Sequence, residues 1–335
     1  MSNVTIKDLA AALSLSVSTV SRALSGDRNV SASTREKVLS AAEEMGYRKN
    51  PVAASLKAGN TRTVGVVVPE MWSGYTIQMI RGLQEVLYPL GVRVIIADSG
   101  EDPAREAENI RMMEGFMVDG LVVGLCSCLE NKDLYKRLLT QKTPLAFFGR
   151  IPHGLEVSQV LVDDYAKSFF MVERMIRSGR RRIVHLEGPE SIYNSLERCR
   201  GYRDALTKYG LDRDSSLIRR TGMSIEDGAR AIDCLLEDKV SFDAIFSFTE
   251  RPAVGAMNRL RELGLRIPED IAVCSFSGTT YTDVVYPRMT TVEPPMYAIG
   301  ETVAQLLMEK IKDPDSAPRT VVLNAEIKMQ GSTGY

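Results

Sequence analysis

Histidine is nearly absent from this chain. Two occur in 335 residues, His153 and His185, and neither stands at metal-ligand spacing from a Cys or a second His. The five cysteines (Cys126, Cys128, Cys199, Cys234, Cys274) are scattered and odd in number. A Cys-x-Cys pair with no further ligand nearby is poor metal spacing, so reduced and mostly buried thiols are expected. No stretch approaches ~18 consecutive apolar residues, so no membrane span is expected. The opening MSNVTIKDLA lacks the basic start and apolar run of a signal peptide, which points to the cytoplasm. No G-x-S-x-G is present, and neither a P-loop nor a Rossmann glycine fingerprint follows the first strand, VVVPEMWSG. The carboxylates single out no pair. The expectation is a protein with no catalytic residues, no metal and no cofactor.

What is present is ordinary in bulk. An apolar content of 44% and a charged content of 25% suit a protein with a real core, and the length suggests two or three domains. The net charge of −1 conceals an asymmetry. Residues 1–60 carry eight Lys/Arg against five Asp/Glu, a surplus of +3 that leaves −4 on residues 61–335. A basic head on an acidic body suggests a head that meets a polyanion.

The head reads as three helices. TIKDLAAAL (5–13) sets Ile6, Leu9, Ala10 and Leu13 on one face, with Thr5 and Asp8 forming a capping box. After Ser14-Leu15-Ser16, Ser16 can cap VSTVSRAL (17–24), whose buried face is Val20, Ala23 and Leu24. A third helix is expected with Ser33 as its cap, Glu36 completing the box, a stripe of Val38, Leu39, Ala42 and Met45, and Gly46 at its end. Two helices across a three-residue turn with a third behind is the helix-turn-helix arrangement. The second helix then exposes Val17, Ser18, Ser21 and Arg22. Short polar side chains reach phosphates and base edges, and Arg22 can make two hydrogen bonds to a guanine in the major groove.

From Asn60 the pattern changes to β-branched runs at 63–68, 92–97, 120–125, 144–149, 182–187, 243–248 and 271–276. Helical stretches separate them, including 76–90, 103–115, 164–178, 197–209, 225–237 and 251–263. Continuous apolar strands with helices between them imply parallel sheets covered on both faces, with ligands at the carboxyl ends of the strands. Seven such strands suit two sheets better than one.

The run TIKDLA, LSVSTVSRALSG, VSASTREKVLSAAEEMGYRKNP closely resembles the head of the LacI/GalR family of bacterial repressors, and the match continues to Gly59. GYRDAL (201–206), GAMNRLRELGLRIPED (255–270) and PRMTTVEPP (287–295) extend the resemblance through the body. It implies a helix-turn-helix head (1–47), a hinge helix or linker (48–60) and an α/β core like the periplasmic sugar-binding proteins (61–335). The core would hold an N-subdomain of about 61–161 plus 293–320 and a C-subdomain of about 162–292 plus 321–335. Crossovers are expected near 161–163, 290–293 and 319–322.

By the same resemblance, Val17, Ser18 and Arg22 read bases, while Thr5, Ser16, Thr19, Ser21, Asn29, Ser31 and Thr34 meet the DNA backbone. One departure is Ser14, where the family usually has Gly; if the turn needs positive φ, Ser costs of order 1 kcal/mol. Residues 48–60, RKNPVAASLKAGN, are too short for a helix stable alone. The family's hinge folds on DNA, so Asn50 would start it, Ala53 would allow close pairing, Leu56 would wedge a central base step and Lys57 would meet phosphate.

The core cleft departs from the family. Arg198 keeps the usual effector clamp and Asp163 a common cleft-side acid, with Phe148 also assigned to the site. Gly149 and Ser277 stand where aspartates are usual, Glu250 where a third is usual, Met223 at the frequent aromatic lid position, and Pro294 where the third crossover usually has glutamine. Trp72 and Tyr75 could supply replacement stacking surfaces. Arg198 then favours an anionic or oxygen-rich ligand over a simple neutral sugar. The resulting expectation is a dimeric repressor of a palindromic operator in double-stranded DNA, gated by a small-molecule effector (a sugar derivative or anionic metabolite). A DNA-binding regulator gated by a protein partner is the alternative, and an enzyme or solute-binding protein the remote one.

Overall fold

The structure, a computed structural model, describes residues 4–47, 60–211, 214–278 and 280–334. It divides into two compact units, Met1–Thr61 and Arg62–Tyr335. The sequence reading for 48–59, including Asn50, Ala53, Leu56 and Lys57, lies outside the described residues.

The head holds α1 (Ile6–Ala12), α2 (Val17–Leu24) and α3 (Ala32–Glu44) around a small core of Leu9, Ala10, Val20, Ala23, Val38 and Ala42. Leu15 in the turn packs against that core, and Ser14 before it has φ 54°. The left-handed backbone here is the conformation that favours glycine, so Ser14 carries a cost of about 1 kcal/mol. The third helix corrects the reading at two points. Its cap is Ser31, whose Oγ accepts from Thr34 N at 3.2 Å, and Ser33 lies inside the first turn. Val30 packs into the core, and that fixes the entry of the chain so that Ser31 reaches the cap. Leu39, one residue off the stripe of Val38, Ala41, Ala42 and Met45, is 50% exposed.

The core is built on two six-stranded sheets. The first runs in the order β11 (Thr320–Leu323), β5 (Ser158–Val162), β4 (Leu145–Phe148), β3 (Gly120–Val123), β1 (Thr63–Val68), β2 (Arg93–Asp98), all parallel. The second is β12 (Glu326–Lys328), β10 (Thr290–Glu293), β9 (Ala272–Phe276), β8 (Ala244–Ser247), β6 (Ile183–Glu187), β7 (Ile218–Arg220). There only the β12–β10 pairing is antiparallel. Both faces of each sheet are covered. On the first, Met79, Leu83 and Leu87 of α4 (Gly74–Leu87) join Ile299, Val303 and Leu307 of α12 (Met296–Lys312) against Val64, Val66 and Val68. The other face takes Ile110 and Met113 of α5 (Pro103–Gly115) with Tyr135 and Leu138 of α6 (Lys132–Thr140). The second sheet is sandwiched by α7 (Asp164–Arg177) and α8 (Tyr193–Lys208) on one side. On its other side lie α9 (Ile225–Glu237) and α10 (Glu250–Glu262), and a short α11 (Thr280–Val284) follows β9. This double cover is why β1 reads as a nearly continuous apolar run and why every residue of β6, His185 and Glu187 included, is buried.

The described residues contain twelve strands where the sequence pattern marked seven. The added ones, β5, β7, β10, β11 and β12, are three to five residues long and more polar, too short to show a period. Strand membership also moves two crossovers. The chain leaves the first sheet after β5 as expected near 161–163. Because β10 belongs wholly to the second sheet and β11 wholly to the first, the later crossings fall at 294–295 and 324–325.

Candidate functional site

Two surfaces collect the assigned residues, one in each unit. In the head, local capping sets the geometry. Thr5 N donates to Asp8 Oδ2 at 2.9 Å and Asp8 N to Thr5 Oγ1 at 3.3 Å, and the Thr5 hydroxyl holds the Asp8 carboxyl below its usual range. Ser16 Oγ accepts from Thr19 N at 3.0 Å and sits 2.8 Å from the Thr19 hydroxyl. The start of α2 is thereby fixed, and its first turn offers Val17 (42% exposed) and Ser18 to solvent. One turn on, Arg22 is exposed and among the described residues has no ion-pair partner, while Ser21 is half-buried. Asn29 N donates to Asp27 Oδ1 at 2.9 Å, which orders the loop before α3; Asn29 and Ser31 are exposed and Thr34 half-buried. An exposed guanidinium flanked by hydroxyls on one helix can straddle a base edge while the neighbours bind phosphate.

In the core, a cavity of ≈ 100 Å³ lies at the carboxyl ends of both sheets. Strand order reverses between β1 and β3 in the first sheet and between β6 and β8 in the second. Those are the crevices where open α/β sheets place ligands. The loop after β1 brings Trp72, the first turn of α4 brings Tyr75, β4 ends in Phe148, and α8 supplies Arg198. Met223, Glu250 and Ser277 close the wall, so seven of the eight assigned cleft residues line one cavity. Asp163 does not. It is exposed, caps α7 by accepting from Ala166 N at 2.8 Å, and leaves the buried role to its neighbour Asp164.

Asp164 Oδ1 accepts from Arg198 Nε at 2.7 Å, and both side chains are about nineteen-twentieths buried. Arg198 also donates to the Phe248 carbonyl at 2.5 Å and lies 3.7 Å from the Phe276 ring centroid. Burial raises the Asp164 carboxyl above its ordinary value, and the Arg198 charge offsets part of that. A second arginine, Arg150, holds Glu101 through two bonds of 2.6 and 2.9 Å and donates to the Leu125 carbonyl at 3.0 Å. Glu70 accepts from Ser73 N, Ser73 Oγ and Thr76 Oγ1 at 2.5–2.8 Å, so its carboxylate is saturated by its own loop. Burial pushes the Tyr75 phenol up to about 12, and Arg198 counters only part of the shift. Gly149 has φ +66°, and a side chain placed there would meet the Tyr75 hydroxyl. The tyrosine therefore occupies the neighbourhood of the position where the family resemblance leads one to expect an aspartate.

Sequence reasoning missed Glu70, Glu101, Arg150, Asn194 and Arg251 on this wall, and Asp164 behind it. Three of them stand one residue from an assigned position: Arg150 after Gly149, Asp164 after Asp163, Arg251 after Glu250. Beyond a strand's last residue the two-residue alternation lapses, and no period in the sequence says which neighbour turns inward. Among the described residues no group of His, Cys, Asp and Glu could hold a metal ion, and no helix is long and apolar enough to cross a membrane.

Comparison with known proteins finds matches in both units. Residues 5–50 match the bacterial regulatory proteins of the lacI family, and residues 172–333 match the periplasmic binding protein-like domain. Catabolite control protein A of Priestia megaterium is 31% identical over 333 residues, covering 99% of each chain. The transcriptional repressor PurR of Vibrio atlanticus (strain LGP32) is 30% identical over 325 residues, 96% of each. Among solved structures, the lac repressor dimer bound to operator and an anti-inducer superposes with a TM-score of 0.86 at 22% identity, covering 99% of each chain. The regulator CelR in complex with cellobiose gives 0.74 at 28% identity, covering 98% of this chain and 100% of that one. Similarity of this extent, along the full length and across both units, makes the chain a member of the lacI family: a DNA-binding transcriptional repressor with a helix-turn-helix head and an effector-binding core.

Proposed function

We propose that the protein acts as a homodimer on a palindromic operator and that a small molecule in the core cleft gates its grip on DNA. The observation that carries the reading is the cavity shared by two sheets, since a ligand there touches both subdomains at once. Such a ligand shifts the protein between states only by binding one of them more tightly. A head with so small a surplus of charge makes too few contacts alone, and two heads on a palindrome supply the rest. In this reading Val17, Ser18 and Arg22 read bases, the other assigned head residues position the backbone, and the hinge with Leu56 follows the spacing that the two cores impose.

The test is operator binding by the full chain, measured by anisotropy at fixed salt with and without candidate metabolites. Arg22→Ala is expected to lose about 1–3 kcal/mol of specific affinity while non-specific binding changes little. Equal affinity for operator in that variant would refute the base-reading role. Insensitivity of the wild-type chain to every metabolite would turn the reading toward gating by a protein partner.

A further inference from the structure

Two of the three arginines on the cavity wall are already engaged. Arg198 is held by Asp164 and the Phe248 carbonyl, and Arg150 by Glu101 and the Leu125 carbonyl. Arg251, in the first turn of α10, differs. Its guanidinium carbon lies 4.1 Å from the centroid of the Trp72 ring, yet its Nε is buried with no hydrogen-bond partner. On the same wall Asn194 gives Nδ2 to Asp164 at 3.0 Å and leaves Oδ1 buried and unpartnered, in a residue only 7% exposed. A buried donor or acceptor without a partner costs about 1–3 kcal/mol, and native proteins retain few of them without a reason. The residues that carry this unpartnered donor and this unpartnered acceptor line one cavity.

We propose that Arg251 is a specificity-determining effector contact of this protein. It donates Nε–H to an oxygen of the ligand from its platform on Trp72, while Asn194 Oδ1 accepts from a hydroxyl or N–H of the same molecule. The proposal rests on the reading of the cleft as the effector site. Charge selects the ligand class. Arg150, Arg198 and Arg251 face Glu70, Glu101 and Glu250 across the wall, and Asp164 stands behind Arg198, so the cavity has no surplus positive charge. An anion would gain no net attraction from a wall whose charges sum to zero, while its own desolvation is costly. The ligand is therefore neutral and bears both hydrogen-bond donors and acceptors. This reverses the anionic preference that Arg198 suggests from sequence.

The same contact reports on occupancy. Trp72 belongs to the loop after β1 and Arg251 to α10, so the stack bridges the two subdomains. A ring-sized ligand in this cavity sits against Trp72 and Arg251 and disturbs the stack. Trp72 is the only tryptophan, and its emission reads that event without interference.

The experiment titrates the full-length protein with glucose, ribose and cellobiose, and with glucose 6-phosphate and ribose 5-phosphate, following Trp72 emission and operator binding together. A neutral member is expected to shift the emission and operator affinity, with its phosphate ester at least tenfold weaker. Arg251→Lys keeps the charge but loses Nε–H, and Arg251→Gln serves as a second variant. Each should weaken the neutral ligand about tenfold in the emission titration. Asn194→Ala should weaken it similarly. Wild-type ligand affinity in both Arg251 variants, or a response to the phosphate esters alone, overturns the proposal and leaves the cleft as an effector site. Silence from every compound in both readouts overturns the effector reading and this proposal with it.

Discussion

The two subdomains of the core meet the cavity with the same devices set at different depths. In the first, Phe148 lies against Gly124, where an added Cβ would sit 2.6 Å from the ring. In the second, Phe248 lies against Gly188 at the same 2.6 Å. Each subdomain also carries an arginine–carboxylate pair beside its phenylalanine. The Arg198–Asp164 side chains are 5% and 4% exposed, whereas those of Arg150–Glu101 are 15% and 26% exposed. The second subdomain thus offers a locked floor and the first a wall that water still reaches. A buried pair gains more from its partner and loses more when the partner goes. One fold, used twice, has a drier half, expected to be rigid, and a wetter half, expected to be compliant.

Removing each arginine is the most severe way to break this comparison. Arg198→Ala leaves Asp164 buried without its counter-charge and is expected to destabilise the core by about 3–5 kcal/mol. Arg150→Ala, at a wetter site, should cost well under half of that once solvent screening is allowed for. Urea unfolding of the two variants checks the ratio. Equal losses would erase the distinction between the halves.

Acid should act on one half first. His185 in β6 is fully buried between Tyr202 and Phe246, at ring distances of 5.0 and 5.1 Å. The Phe246 carbonyl 2.9 Å from Nδ1 can only accept, so Nδ1 carries the proton and Nε2 is left without a partner. Burial lowers the ring to about 4 from an ordinary 6.5. Below pH 6.5 the unfolded chain takes up a proton that the folded one refuses. The stability from this group is therefore complete above 6.5 and lost as pH falls toward 4. The loss amounts to about 3 kcal/mol at 1.36 kcal/mol per pH unit. His185→Phe, which keeps the stack, should flatten that slope, and hydrogen exchange should place the wild-type loss in the second subdomain. An equal slope in the variant would assign the acid sensitivity elsewhere.

The mildest probe tests the likeness instead of the difference. Gly124→Ala and Gly188→Ala each push a methyl group into a phenylalanine ring and should cost about 1–3 kcal/mol by overpacking. The compliant first half should absorb its change more cheaply. A cost for Gly124→Ala above that for Gly188→Ala, read from unfolding midpoints, would reverse the assignment of rigid and compliant halves.

Much of the fold was legible because its signals are local. The capping box at Thr5–Asp8, the cap at Ser16 and the largely apolar runs that become β1, β6 and β9 each depend on residues close together in the chain. The cap of α3 escaped because Ser31 and Ser33 are equally good by chemistry, and only the packing of Val30 chose between them. The strands at the crossovers escaped because β10, β11 and β12 take their place from partners far away in the chain: β11 pairs with β5 across some 160 residues.

The sequence by itself determined the class of this protein, through a head motif whose helices, caps and exposed Arg22 are set by short-range geometry. It also determined the α/β body with sheets covered on both faces, through runs too apolar to lie on a surface. Tertiary structure decided the chemistry of the cleft. Arg198, the assigned clamp, is held by Asp164 and the Phe248 carbonyl, and Arg251, which the sequence reading passed over, lies over the Trp72 ring. Charge and hydrogen-bonding capacity are properties of a residue, but whether they remain available is a property of its neighbours in space.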